Sequence, residues 1–158
     1  MANTASMCTS FMGELLTATH NFGVAPIRAA TTADTFKGAL YLASATINAS
    51  TTAYTVTGEV SGTNYSAGGV AITNATAPSS TNSSSTAGVA YWTPSASITY
   101  TSVTLSTAFD TVLLYNSTQS NKAVAVYTFG SQTVTAGTFT LTMPSNTTTT
   151  ALLRLATT

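Results

Sequence analysis

Charge is what this sequence has least of. Four Lys or Arg stand against four Asp or Glu in 158 residues, 5% of the chain, where an ordinary soluble domain carries about a quarter. General acid/base pairs, phosphate grips and nucleic-acid tracks are built from ionisable side chains. The scarcity therefore argues against an enzyme and predicts no nucleic-acid partner. Cysteine is equally scarce: Cys8 stands alone, which excludes an internal disulfide and leaves a metal site without a thiolate cluster. No stretch approaches the ~20 apolar residues of a membrane span, so no membrane partner is expected. Met1–Ser10 has neither the basic residues nor the apolar run of a secretory signal, which predicts synthesis and folding in a cytosol.

What is present is hydroxyl and apolar material. Ser and Thr make up about a third of the chain, and hydrophobic residues 44%. Disorder combines low hydrophobicity with high net charge, and here the formal net charge is zero, so the chain reads as folded. At this length one domain can bury on the order of 70% of its unfolded surface without staples. A surface with little charge gives neighbouring copies little mutual repulsion, which suits a component of an assembly. Six Asn-x-Ser/Thr triplets, at Asn48, Asn64, Asn74, Asn82, Asn116 and Asn146, follow from Ser/Thr abundance alone.

The hydrophobic pattern changes once along the chain. From Ser10 to Phe22 the apolar residues Phe11, Leu15 and Leu16, with Met7 one turn earlier, recur at three- and four-residue spacing, which predicts a helix. Ser6, Thr9 and Ser10 offer N-caps, Glu14 is placed to meet the positive helix end, and Asn21-Phe22-Gly23 with Pro26 marks the stop. Ala29 to Ala33 reads as an extended lead-in. From Asp34 onward the period is two, with Thr, Val, Tyr and Phe dominant. Strands are predicted at 35–43, 53–57, 69–73, 88–93, 97–105, 111–116, 123–129, 138–143 and 151–156.

These strands imply two antiparallel sheets. The runs Val112–Tyr115 and Ala123–Tyr127 are apolar throughout and mark strands covered on both faces, one of them by the N-terminal helix. Gln119-Ser120-Asn121 reads as the turn of a short hairpin, and Asn74 to Thr86 as a long solvated loop. Residues 1–33 are thus expected to form a helix with its lead-in, and residues 34–158 a β-sandwich, in one domain overall.

Chemistry-bearing residues are few and scattered. His20 is the single imidazole; a zinc site or a triad would need further partners, so a capping or packed histidine is expected. Glu14, Asp34, Glu59 and Asp110 fall on separate elements, and Arg28, Lys37, Lys122 and Arg154 form no basic stripe. No catalytic, metal or cofactor site is predicted. Aromatic residues carry more. Tyr54, Tyr65, Tyr91, Trp92 and Tyr100 gather around the mid-chain loops, and Tyr with Trp are common interface anchors. Together with Phe11 and Leu15 they are the candidate interface residues, and Tyr65, Tyr91 and Trp92 could also form a platform for a sugar ring.

Several segments together resemble a family of small head-associated virion proteins of tailed bacteriophages. The resemblance is carried by Ser10-Phe11-Met12-Gly13-Glu14-Leu15-Leu16 with His20-Asn21-Phe22, then Asp34-Thr35-Phe36-Lys37-Gly38-Ala39-Leu40-Tyr41. It continues through Tyr54, Glu59-Val60-Ser61-Gly62, Tyr65-Ser66-Ala67-Gly68-Gly69 and Tyr115-Asn116. Ser120-Asn121-Lys122-Ala123-Val124-Ala125-Val126, Phe129-Gly130, Gly137-Thr138-Phe139-Thr140 and Met143-Pro144 complete it, in consistent order over nearly the whole chain.

The resemblance implies a capsid cement, or decoration, protein: an all-β, antiparallel, jelly-roll-like β-sandwich with one short N-terminal α-helix and no catalytic residue. The implied partners are the major capsid protein and the chain itself, as a dimer or trimer. The implied location is the capsid surface of the virion after synthesis in the host cytoplasm. The alternative is a receptor- or carbohydrate-binding module of a head or tail fibre, or a neck or tail component.

Overall fold

The computed structural model describes residues 3–16, 19–22, 33–73, 77–81 and 88–156. Its elements are β1 (Ser6–Met7), α1 (Thr9–Leu16), β2 (Phe36–Leu42), β3 (Val70–Ala71), β4 (Ser79–Ser80), β5 (Val89–Trp92), β6 (Ile98–Asn116), β7 (Lys122–Leu141) and β8 (Leu153–Ala156). The strands form two antiparallel sheets, ordered β1-β7-β6-β2-β3 and β4-β5-β8. The fold is an all-β sandwich.

One hairpin organises it. β6 and β7 are 19 and 20 residues long, and each merges two strands that the sequence pattern separates. Residues 98–105 and 111–116 lie on one continuous strand, as do 123–129 and 138–141. The Ser, Gly and Ala punctuation between them is absorbed as bulges rather than chain reversals. The β6–β7 register shifts between Tyr100 and Val103, Val103 and Leu105, Leu105 and Phe109, and Phe109 and Thr111. Ser102 and Ala136 take positive φ within this zone.

Bulges bend a strand and raise its twist, and here they fold the hairpin onto itself. Phe129 and Phe139, on the same strand, have ring centroids 5.3 Å apart. A straight strand would hold them about 33 Å apart. The closing turn follows its sequence signal. Ser120 and Asn121 have φ of 53° and 59°, and Lys122 N–H donates to the Gln119 carbonyl at 3.1 Å. This is the type I′ geometry that matches strand twist in a hairpin.

Register assigns the two faces of the larger sheet. Phe36, Gly38 and Leu40 of β2 stand opposite Asn116, Leu114 and Val112 of β6, while Ala39 and Tyr41 stand opposite Leu113 and Thr111. Val112 to Tyr115 and Ala123 to Val126 are all buried, as continuous apolar runs require. On the first face the far half of the hairpin folds over: a Cβ placed on Gly38 would lie 3.2 Å from Tyr100 Oη and 3.4 Å from Ile98 Cδ1. At the end of that face Phe36 stacks on Phe22 at 4.4 Å, and Trp92 of the smaller sheet closes on Phe22 at 4.8 Å. On the second face Tyr54 stacks on Tyr115 at 4.9 Å.

Three expectations change. The helix runs Thr9–Leu16 rather than to Phe22; residues 19–22 are not helical, and Thr19 N–H closes on the Glu14 carbonyl. Glu14 accordingly sits beyond the first helical turn and faces the sheet instead of the helix N-terminus. The predicted strand at 53–57 is a loop with one bridge, Ala53 to Lys122, because Tyr54 and Tyr41 tie it down by side-chain bonds in place of a ladder. The lead-in at 29–32 and most of the 74–86 loop lie outside the described residues; Ser79–Ser80 of that loop pair with β5.

Candidate functional site

The interface candidates separate into three groups. Phe11, Trp92 and Tyr100 are core, each about 2% exposed. Phe11 meets His20 edge-on at 4.9 Å and Phe22 at 5.9 Å, so this helical residue packs on its own domain. Cys8 N–H donates to the Val124 carbonyl at 3.1 Å, and α1 covers the end of β7 that its apolar sequence called for.

A second group lines one groove. Phe11, Leu15, Tyr91 and Trp92, joined by Met7 and Phe22, enclose an apolar cleft of about 170 Å³ between α1 and the smaller sheet. Four of the seven candidates thus meet in one place, with Leu15 and Tyr91 half-buried at its walls.

The third group, Tyr54 and Tyr65, is committed elsewhere. Tyr54 donates to Glu59 Oε2 at 2.6 Å, Tyr65 donates to Glu59 Oε1 at 2.7 Å, and Gly68 N–H donates to the same Oε1 at 2.8 Å. The Tyr65 hydroxyl also accepts the Leu40 N–H at 3.0 Å, and its ring stacks on Tyr100 at 5.9 Å. Beside it, Tyr115 donates to the Gly68 carbonyl at 2.8 Å. Gly69 follows at φ 67°, where a Cβ would fall 1.7 Å from the Gly38 carbonyl oxygen, so the close approach of this loop to β2 requires glycine. Glu59 is therefore the pin that gathers the 53–69 loop, and Tyr65 carries it to Leu40 of β2. A sugar platform of Tyr65, Tyr91 and Trp92 is not assembled, since Tyr65 serves this pin and Trp92 is buried.

The other acids hold the scaffold in the same manner. Asp110 Oδ1 accepts from Asn3 Nδ2 at 2.8 Å and from the Thr111 hydroxyl at 2.7 Å, and Asn3 also binds the Leu42 carbonyl and the Ile47 N–H. Glu14 joins Lys122 Nζ at 2.8 Å and His20 Nε2 at 2.7 Å. Asp34 accepts from Asn21 N–H at 2.9 Å, Asn116 Nδ2 at 2.8 Å and Gln119 Nε2 at 3.1 Å. Sequence order gave no hint that Glu14, His20, Asp34, Asn116 and Lys122 would converge. Only the pairing of β2 with β6, which sets Phe36 against Asn116, brings them together.

Burial governs their ionisation. It alone would raise the Glu14 carboxyl, but hydrogen bonds and charge from Lys122 and His20 outweigh it and hold the group below its ordinary value. Burial pulls the His20 imidazole down against the pull of Glu14 and Asp34. The Cys8 thiol is pushed up to about 11 by burial and by Glu14, which keeps it unreactive near neutrality. Among the described residues no cluster of three His, Cys, Asp or Glu is arranged to hold a metal ion, and no helix is long and apolar enough to cross a membrane.

No family model, curated protein or solved structure matches the chain.

Proposed function

We propose that the chain is a non-enzymatic virion structural protein, a capsid cement or decoration protein of a tailed bacteriophage. In this reading it stabilises the expanded shell by bridging neighbouring major capsid subunits, as a dimer or trimer on the capsid surface. The observation that carries the reading is the uncharged outer surface of the folded hairpin. Between Ile98 and Leu141 the only charged residues are Asp110 and Lys122, and both are bonded to the N-terminal segment. The exposed positions Thr99, Thr101, Thr138 and Thr140 present hydroxyl groups on rigid strands. Such a surface forms contacts with little charge to desolvate, which favours the sum of many weak contacts over one strong site.

The engagement of all four carboxylates in holding loops supports a scaffold role over acid/base chemistry. A fibre-borne carbohydrate module is less well supported, because of the aromatic residues it would use Trp92 is buried and Tyr65 is bonded to Glu59. Mixing the purified protein with expanded empty shells should give saturable binding without DNA, with a copy number in fixed ratio to capsid subunits. A folded protein that does not bind such shells would rule this function out.

A further inference from the structure

The N-terminal segment is fastened to the sheet through side chains whose proton positions the geometry fixes. Asn116 Oδ1 accepts the N–H groups of Thr118 at 3.1 Å and Gln119 at 3.2 Å. The amide cannot be turned over without losing both bonds, so Nδ2 is the donor end. That Nδ2 stands 2.8 Å from Asp34 Oδ2 and 3.0 Å from His20 Nδ1. A donor facing Nδ1 makes Nδ1 an acceptor, so the ring proton is on Nε2, which donates to Glu14 Oε2 at 2.7 Å. The second oxygen of Glu14 accepts Lys122 Nζ at 2.8 Å. His20 is thus a neutral imidazole with both nitrogens used and its side chain fully buried, linking the segment that bears α1 to the last residue of β6.

We propose that His20 is a proton-operated latch: protonation at Nδ1 sets N–H against the Asn116 amide, breaks that link and releases α1 and residues 19–22 from the sheet. Among the described residues, the charged groups that face the ring are Glu14 on α1, Asp34 ahead of β2 and Lys122 at the start of β7. Two carboxylates favour the cation, while Lys122 and burial oppose it. Burial prevails, and the imidazole titrates below its ordinary value. Glu14 is itself held below its ordinary value by Lys122 and His20. The latch stands whatever partner the protein has.

The sequence supplies its own probes, since it contains one histidine and one tryptophan. Trp92 lies 4.8 Å from Phe22, two residues after the latch. The experiment follows the His20 imidazole by NMR, Trp92 emission, and hydrogen exchange in α1, from about pH 7.5 to about pH 5. At neutral pH the imidazole should show the Nε2–H tautomer. Its protonation below about pH 6.5 should coincide with a shift in Trp92 emission and a rise of roughly tenfold or more in α1 exchange, while the β6–β7 core stays protected. His20→Gln cannot titrate and should abolish the step. Should that variant fail to fold, coincidence of the three wild-type midpoints still decides. An imidazole that titrates while α1 and Trp92 stay unchanged would overturn the latch, as would a step that persists in His20→Gln.

Discussion

The hydroxyl of Tyr100 donates to the carbonyl of Gly38 at 2.7 Å, joining residues 62 positions apart in the interior of the sandwich. It ties the far half of the β6–β7 hairpin to β2, across the face that the bulges fold over. Both groups are buried, Gly38 also pairs with Val70 of β3, and one buried hydrogen bond contributes about 0.5–1.5 kcal/mol. Tyr100→Phe keeps the ring and its stacking on Tyr65, so it removes this bond alone. Urea denaturation should show a loss of about that size at unchanged m-value. A loss below about 0.5 kcal/mol would mean that water or a shifted donor replaces the hydroxyl.

Phe11 and Leu15 lie on one short helix but differ in burial. Phe11 is 2% exposed and Leu15 half-buried at the rim of the groove. Emptying a buried Phe site costs about 3–5 kcal/mol, so Phe11→Ala should lower thermal stability strongly and Leu15→Ala distinctly less. Equal melting temperatures for the two variants would contradict the packing of α1 described above.

This contrast shows how far the sequence could be read. Period-two patterning exposed the β class, the apolar runs at 112–115 and 123–127 marked the doubly covered strands, and Ser120-Asn121 marked the turn. The strand count differs because Ser106, Gly130 and Ala136 look like turn residues in isolation, while cross-strand pairing holds them inside one bent hairpin. The helix was drawn too long because His20 and Phe22 continue its apolar spacing while packing from a non-helical segment. Burial of Trp92 and recruitment of Tyr65 by Glu59 were invisible for a related reason: aromatics on strands look alike whether they face solvent or core. The acid networks depend wholly on strand register, which no local pattern encodes.

Glu59 accepts three hydrogen bonds, two at Oε1 and one at Oε2. Glu59→Gln can keep the pair at its single oxygen and donate from its amide to the Tyr54 oxygen, so it should cost little beyond the charge assistance. Glu59→Ala leaves Gly68 N–H and two phenols without their acceptor and should cost clearly more, about 2 kcal/mol or above. Chemical denaturation of the two variants side by side checks the order. Equal losses would show that the negative charge itself, and not acceptor geometry, fastens the loop.

Alkaline pH should act through the tyrosines. Burial raises the phenols of Tyr41, Tyr54, Tyr65, Tyr100 and Tyr127, and pushes Tyr115 up to about 12; Glu59 nearby adds to the effect for all but Tyr127. A group whose folded pKa lies above its unfolded value gives stability that is full below the unfolded pKa, near 10, and is lost as pH rises through the folded one. Stability should therefore hold from neutrality to about pH 10 and then fall steeply. Absorbance near 295 nm should show most phenolate appearing together with unfolding. Smooth ionisation of these tyrosines in a still-folded protein would contradict their burial.

Ionic strength offers a sharp test of the proposed attachment to a shell. An interface resting on cross-boundary ion pairs weakens as the Debye length shortens from about 30 Å at 0.01 M to about 8 Å at physiological salt. Of the eight charged side chains, Glu14, Asp34, Glu59, Asp110 and Lys122 are already bonded inside the protein, and the exposed Thr face carries none. Among the described residues only Lys37 and Arg154 are then left to answer charges on a capsid subunit. Sedimentation with expanded shells should give affinities within about threefold across that range of salt. A loss of tenfold or more would show that the few remaining basic residues, Arg154 among them, carry the contact, and the hydroxyl-lined hairpin would then not be the attachment surface.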